Sequence, residues 1–140
     1  MRRAVITGMG IVSCLGNDKT TVTNSLRNGI SGIHRRDDFA EMGLRCNVGG
    51  MIDLDPKDHI DRKVLRFMGD SAAYGYIAAD RAIADAGLSE DMVSNYRTGL
   101  IMGSGGLSGE MFVEAVDVMR ARGIKRAGPY RVTQIMASTV

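Results

Sequence analysis

Hydrophobic positions along this chain change their period several times, and each change marks an element. Residues 4–7, Ala-Val-Ile-Thr, form a β-branched run that reaches Gly8-Met9-Gly10 and resumes at Ile11-Val12, predicting a short strand. Asn17 or Asp18 then suits a helix N-cap. Val22 and Leu26 fall four apart on one face of that helix, and Gly29 can close it. Residues 30–60 show no period, only scattered glycines and short apolar pairs such as Met51-Ile52, and are expected to be an irregular surface excursion.

The clearest helical signal opens at Asp70-Ser71. Ala72, Tyr76, Ala79, Ile83 and Ala86 recur at spacings of four and three and end at Gly87-Leu88. Their small side chains suit a helix that sits close to a sheet or to another helix. Residues 99–102, Gly-Leu-Ile-Met, read as a buried parallel strand. Ser108 and Glu110 then start a helix with Phe112, Val116 and Met119 facing inward and Gly123 at its end. Pro129 fits the first position of a last helical run, residues 129–140, after which no stop signal appears. The order is α/β alternation with a parallel sheet. With two strands visible, the expected unit is an incomplete domain.

Composition narrows the class without naming a function. The 140 residues are 44% hydrophobic and 24% charged, which is globular, and ten Met with no Trp suggest an aliphatic, deformable core. No apolar run approaches the ~18 residues that span a bilayer, and the opening residues are too soon broken by Gly8 to be a secretory signal. Cys14 and Cys46 then read as reduced thiols, and the cytoplasm is the expected location. Net charge is only +2, but its distribution is uneven. Arg120, Arg122, Lys125, Arg126 and Arg131 lie in a stretch without an acid, and Arg62, Lys63 and Arg66 form a second cluster. Such clusters suit either a solvated helix end or a docking surface for an acidic partner. Nucleic acid is disfavoured because only Tyr130 interleaves with the basic residues.

Chemical motifs are mostly excluded. Gly8-Met9-Gly10 fails as a dinucleotide loop because position 13 is Ser13 and no strand-ending acid follows at the required distance. Gly103-Ser104-Gly105-Gly106 lacks the Gly-Lys-Ser/Thr of a phosphate loop. His34 and His59, with Cys14 and Cys46, show no metal-ligand spacing, so no metal site is expected. Cys14, between Ser13 and Leu15, reads as a small buried residue rather than a nucleophile.

One ordered set of segments is nonetheless specific. It comprises Arg3 through Ser13, Ser31-Gly32-Ile33, Asp61-Arg62-Lys63, Ala82 through Leu88, Gly103 through Gly106, and Gly128-Pro129-Tyr130. Together they resemble the β-ketoacyl-acyl-carrier-protein synthases, above all the bacterial type I enzymes of fatty acid synthesis; polyketide ketosynthases share the opening motif. The resemblance covers essentially all of residues 1–140, read as the N-terminal part of one incomplete synthase domain. It implies an α/β, thiolase-like fold with two αβαβα halves, this chain being an incomplete N-terminal half, and a homodimer. It further implies decarboxylative Claisen condensation of malonyl-loaded acyl carrier protein with an enzyme-bound acyl chain, with no cofactor.

The family's catalytic cysteine, two histidines and lysine lie in segments beyond the position matching Val140. Cys14, Cys46, His34 and His59 do not match them, so no catalytic residue is assigned and the 140-residue chain is expected to be inactive. Lys63, Arg66, Arg122 and Lys125 match positions that grip the acidic carrier protein. Gly106 and Met136 match positions lining the acyl pocket near the dimer interface. A different outcome, a non-catalytic module that binds acyl carrier protein through the same basic face, would share these four basic residues.

Overall fold

The computed structural model describes residues 3–139. Among them the helices are α1 (Lys19–Arg27), α2 (Asp37–Glu41), α3 (Arg62–Leu65), α4 (Asp70–Ala86), α5 (Glu90–Val93), α6 (Gly109–Arg122) and α7 (Arg131–Ile135). A single antiparallel hairpin pairs β1 (Ile33–Arg35) with β2 (Val48–Gly50). Its register sets Ile33 opposite Gly50, His34 opposite Gly49 and Arg35 opposite Val48.

The long helix α4 organises the rest. Asp70 stands in its first turn, where a negative charge favours the helix N-terminus, and alanines dominate its length. Gly87 ends it at φ 65°, a left-handed position where a side chain would be strained, and donates to Ala84 O and Ile83 O. Ile60, Ala73 and Ile77 are buried together, flanked by Val12, Leu54, Leu65 and Met68. Val22, Ala72 and Ala115 are buried outside this small aliphatic cluster.

A different stripe of α4 receives the N-terminal arm. A Cβ placed on Gly10 would lie 1.8 Å from Ala78 O, and one on Gly8 would lie 2.3 Å from Ala82 O. The Gly8-Met9-Gly10 motif is therefore a close approach of backbone to helix. Polar anchors complete it. Asp85 accepts from the Met9 N–H at 3.0 Å and pairs with Lys19, while Arg81 donates to Ile11 O and Asn17 O. Asp18 caps α1 by accepting from the Thr21 N–H at 2.8 Å.

Several expected details come out differently. Residues 4–7 and 99–102 belong to no strand, and Val5 and Ile101 are 78% and 97% exposed. A strand exists only through a ladder with a neighbour, and among the described residues neither run has one. Residues 30–60 are not irregular throughout, since they carry the hairpin and α2.

Helix boundaries follow the caps, but faces follow the neighbours. On α4, Ile77 is buried and Tyr76 is 47% exposed, because the 54–68 segment packs on the side that carries Ala73 and Ile77. On α1, Ser25 rather than Leu26 turns inward, its hydroxyl donating to Leu15 O at 2.9 Å. On α6, Ala115 is buried while Phe112 and Met119 remain exposed. The run from Pro129 is broken: α7 stops at Ile135, and a 3-10 turn, Ala137–Thr139, follows. Val140 lies outside the described residues.

Candidate functional site

The basic residues fall around the short helix α3 and at the end of the longer α6. Asp61 caps α3, accepting from the Lys63 N–H at 2.7 Å, and so starts the turn that carries Arg62, Lys63 and Arg66. The second cluster sits where α6 ends. Gly123, at φ 82°, closes that helix, and a 3-10 turn, Ile124–Arg126, redirects the chain towards α7. Cations at the last turn of a helix are favoured by its dipole, which suits Arg120 and Arg122 there.

Tertiary contacts join the two clusters. Gly69 is buried at the start of α4, and a Cβ on it would lie 2.4 Å from Gln134 O and 3.2 Å from the Ser108 Cβ. The Ser108 N–H donates to Ile135 O at 3.1 Å. Three helix ends, those of α4, α6 and α7, therefore meet at one glycine. From this junction Gln134 Nε2 reaches the carbonyl of Arg66 at 3.0 Å. Phe67 and Tyr130 stack edge to face, centroids 4.8 Å apart, across the same seam.

Arg66 stands at the centre of this arrangement. Its guanidinium carbon lies 4.8 Å from the Phe67 ring centroid and 5.0 Å from that of Tyr130, within the range of cation–π attraction. It lines two adjacent hollows. The larger, about 790 Å³, has an apolar floor of Ile60, Leu65 and Met68 and charged walls including Lys57, Arg62 and Asp70. The smaller, about 240 Å³, runs from Arg66 to Ala127, Gly128 and Tyr130. Among the described residues Arg66 forms no ion pair.

Arg131 has a different role from the one its sequence neighbourhood suggests. Its guanidinium forks onto both carboxylate oxygens of Glu114 on α6, the Nη1–Oε2 arm being 2.7 Å. The Arg131 hydrogen bond holds the Glu114 carboxyl below its ordinary range. That charge is internally neutralised. The acid was invisible in the local sequence because it lies 17 residues upstream, on the antiparallel partner helix.

The remaining candidates separate. Lys63, Arg122 and Lys125 are exposed. Gly106 and Met136 lie on segments that run together through the Ser108–Ile135 hydrogen bond. Yet a Cβ on Gly106 would have nothing within 4 Å, and Met136 is exposed. Gly106 is also outside the positive-φ glycines, so its backbone does not require glycine. Cys14 packs against the hairpin, its Sγ 2.9 Å from where a Cβ on Gly50 would stand, and Cys46 is exposed. His34 lies on β1 and His59 follows the 3-10 turn Pro56–Asp58, both exposed. The sequence reading missed Phe67, Tyr130 and Gln134 as the setting of Arg66. The adjacency of Phe67 to Arg66 was the one local signal for it.

Comparison with known proteins gives a consistent picture. The family model described as beta-ketoacyl synthase, N-terminal domain, matches residues 1–140. The chain is 55% identical over 141 residues to 3-oxoacyl-acyl-carrier-protein synthase 1 of Haemophilus influenzae, covering 100% of this chain and 35% of that protein. Identity to the Escherichia coli K12 protein of the same name is 51% over 142 residues, with the same coverage of each chain. Among solved structures, a beta-ketoacyl synthase from Burkholderia phymatum superposes with a TM-score of 0.82 at 29% identity, over 99% of this chain and 35% of that one. The backbone path is thus that of the thiolase-like ketosynthases, followed over about a third of their length.

Proposed function

The chain belongs to the beta-ketoacyl synthase N-terminal domain family, and on that premise we propose that it is the N-terminal portion of a β-ketoacyl-acyl-carrier-protein synthase of fatty acid elongation. The observation that carries this reading is the 55% identity across the whole chain. The reaction is decarboxylative Claisen condensation. Malonyl-loaded carrier protein loses carbon dioxide, and the resulting carbanion attacks an acyl thioester held on the enzyme, releasing the enzyme thiol. The acyl-accepting cysteine, the two histidines and the lysine of that chemistry belong to the two thirds of the synthase outside this chain. Residues 1–140 contribute docking and pocket surface.

Lys63, Arg66, Arg122 and Lys125 form the docking face for acyl carrier protein. Their exposure and the absence of internal ion pairs at these four residues, among the described residues, support this role. Gly106 and Met136 face the acyl pocket once the neighbouring surface of the synthase and its dimer partner cover them. The working protein is a cytoplasmic homodimer without cofactor, nucleic-acid or membrane partner. No helix among the described residues is long and apolar enough to cross a membrane.

Titration of the intact synthase with acyl carrier protein tests this reading. Lys63→Glu and Arg122→Glu should each weaken binding about fivefold, with the loss shrinking at high salt. Unchanged affinity in both variants overturns the docking assignment. The 140-residue chain alone should show no malonyl-dependent condensation, and turnover abolished by Cys14→Ala would refute the placement of the catalytic groups elsewhere. Saturable binding of carrier protein by that isolated chain would favour the non-catalytic module instead.

A further inference from the structure

Four basic residues are assigned to one docking face, yet their settings differ. Lys63 and Lys125 are exposed with no ion pair among the described residues, whereas Arg66 sits in the corner formed by two aromatic rings, with its own carbonyl tied to Gln134. We infer that Tyr130 and Phe67 are positioning residues that fix the Arg66 guanidinium for an acidic partner, making Arg66 the orienting contact of the docking face. This inference rests on the carrier-protein reading and extends it to two uncharged residues.

Three observations converge. First, each ring is close enough to the guanidinium to restrict it, and the two rings brace each other edge to face at 4.8 Å. An arginine fork that is already ordered loses less rotamer entropy when it grips a carboxylate or phosphate. Second, its charge is not consumed inside the chain. Arg131 and Arg36 are each forked onto an acid, Glu114 and Asp38, whereas Arg66 has no such pair among the described residues. Third, Arg66 lines both hollows of the seam, so an incoming anion can approach it from two sides. Phe67 and Tyr130 are 36% and 40% exposed, so the rings that hold the guanidinium lie at the surface with it.

The geometry also explains a division of labour. The rings come from both sides of the seam, Phe67 beside α3 and Tyr130 at the start of α7. Arg66 is therefore positioned by the packing of α6–α7 on α3–α4, and its aim depends on that packing. Lys63, whose side chain has no hydrogen bond or ion pair among the described residues, attracts the partner without orienting it.

A double-mutant cycle on the intact synthase, read as the dissociation constant for purified acyl carrier protein, tests the inference. Arg66→Ala should weaken binding about fivefold to tenfold. Tyr130→Leu should weaken it about threefold with Arg66 present and leave it unchanged in the Arg66→Ala background. Tyr130→Phe keeps the ring and should bind as the parent does, while Arg66→Lys should recover less than half of the lost affinity. Thermal midpoints identify any Tyr130→Leu effect that is mere unfolding; Phe67→Leu then supplies the same cycle from the other ring. Equal losses from Tyr130→Leu in both backgrounds, or no loss while Arg66→Ala weakens binding, overturn the positioning role and leave the docking face standing. An Arg66→Ala variant that binds normally overturns both.

Discussion

Residues 8–12 and residues 99–103 are both apolar runs carrying two glycines, and they meet opposite fates. The first lies against α4, its backbone touching the helix at Ala78, Ala82 and Ala86, with Met9 N–H and Ile11 O engaged by Asp85 and Arg81. The second makes no hydrogen bond among the described residues, and its Ile101 is almost fully exposed. Apolar content does not separate them. What separates them is a surface that a bare backbone can approach, with side chains placed to take its polar groups. Exposed apolar area at 100–102 is a surface that a further part of a synthase can cover.

The sharpest way to break this contrast is to add bulk at each place. Gly10→Val should destabilise the chain by more than about 3 kcal/mol in urea unfolding, because its side chain meets helix backbone that cannot yield. Gly103→Ala, with open space around it, should stay within about 0.5 kcal/mol. Comparable effects at the two glycines would remove the distinction.

Truncation probes the same contrast at the next size. Ile77→Ala should cost about 2–3 kcal/mol, towards the lower end of its class because so thin a core can collapse around the gap. Ile101→Ala in the 140-residue chain should be silent within about 0.5 kcal/mol. A loss of about 2 kcal/mol at Ile101 in a full-length synthase, against none in this chain, would show that the rest of the protein covers the segment. Amide exchange should agree, with slow exchange in the middle of α4 and fast exchange at 99–103.

Acid titration gives the smallest effect. The Asp85 carboxyl is held below its ordinary value of 3.8 first by the Lys19 hydrogen bond and then by the Met9 N–H, and Glu114 is held below 4.5 by Arg131. A carboxyl with a lowered folded pKa contributes stability above its unfolded value and loses it as the pH falls through the folded one. Unfolding free energy should therefore drop as the pH falls below those ordinary values. Asp85→Asn should flatten part of that drop, and an unchanged acid profile would show that the Asp85 contacts to Met9 and Lys19 add no stability to the arm.

Local chemistry was legible in the chain. Asp18, Gly87, Ser108 and Gly123 mark helix ends because capping acts within a few residues. The ordered motifs pointed to the family for the same reason, being short strings with specific backbone demands. Which side of a helix is buried was less legible. Tyr76 and Ile77 are neighbours, and only the position of the 54–68 segment exposes one and buries the other.

The site shows the same boundary. Sequence alone determined that two basic clusters exist and that the helix leading into the second ends at Gly123. Tertiary structure alone decided that Arg131 belongs to Glu114 and that Arg66 sits in the corner formed by Phe67 and Tyr130. The reason is range: a cap or a turn is settled by groups a few residues apart, whereas the partner of a charge or a strand is whatever the fold brings beside it.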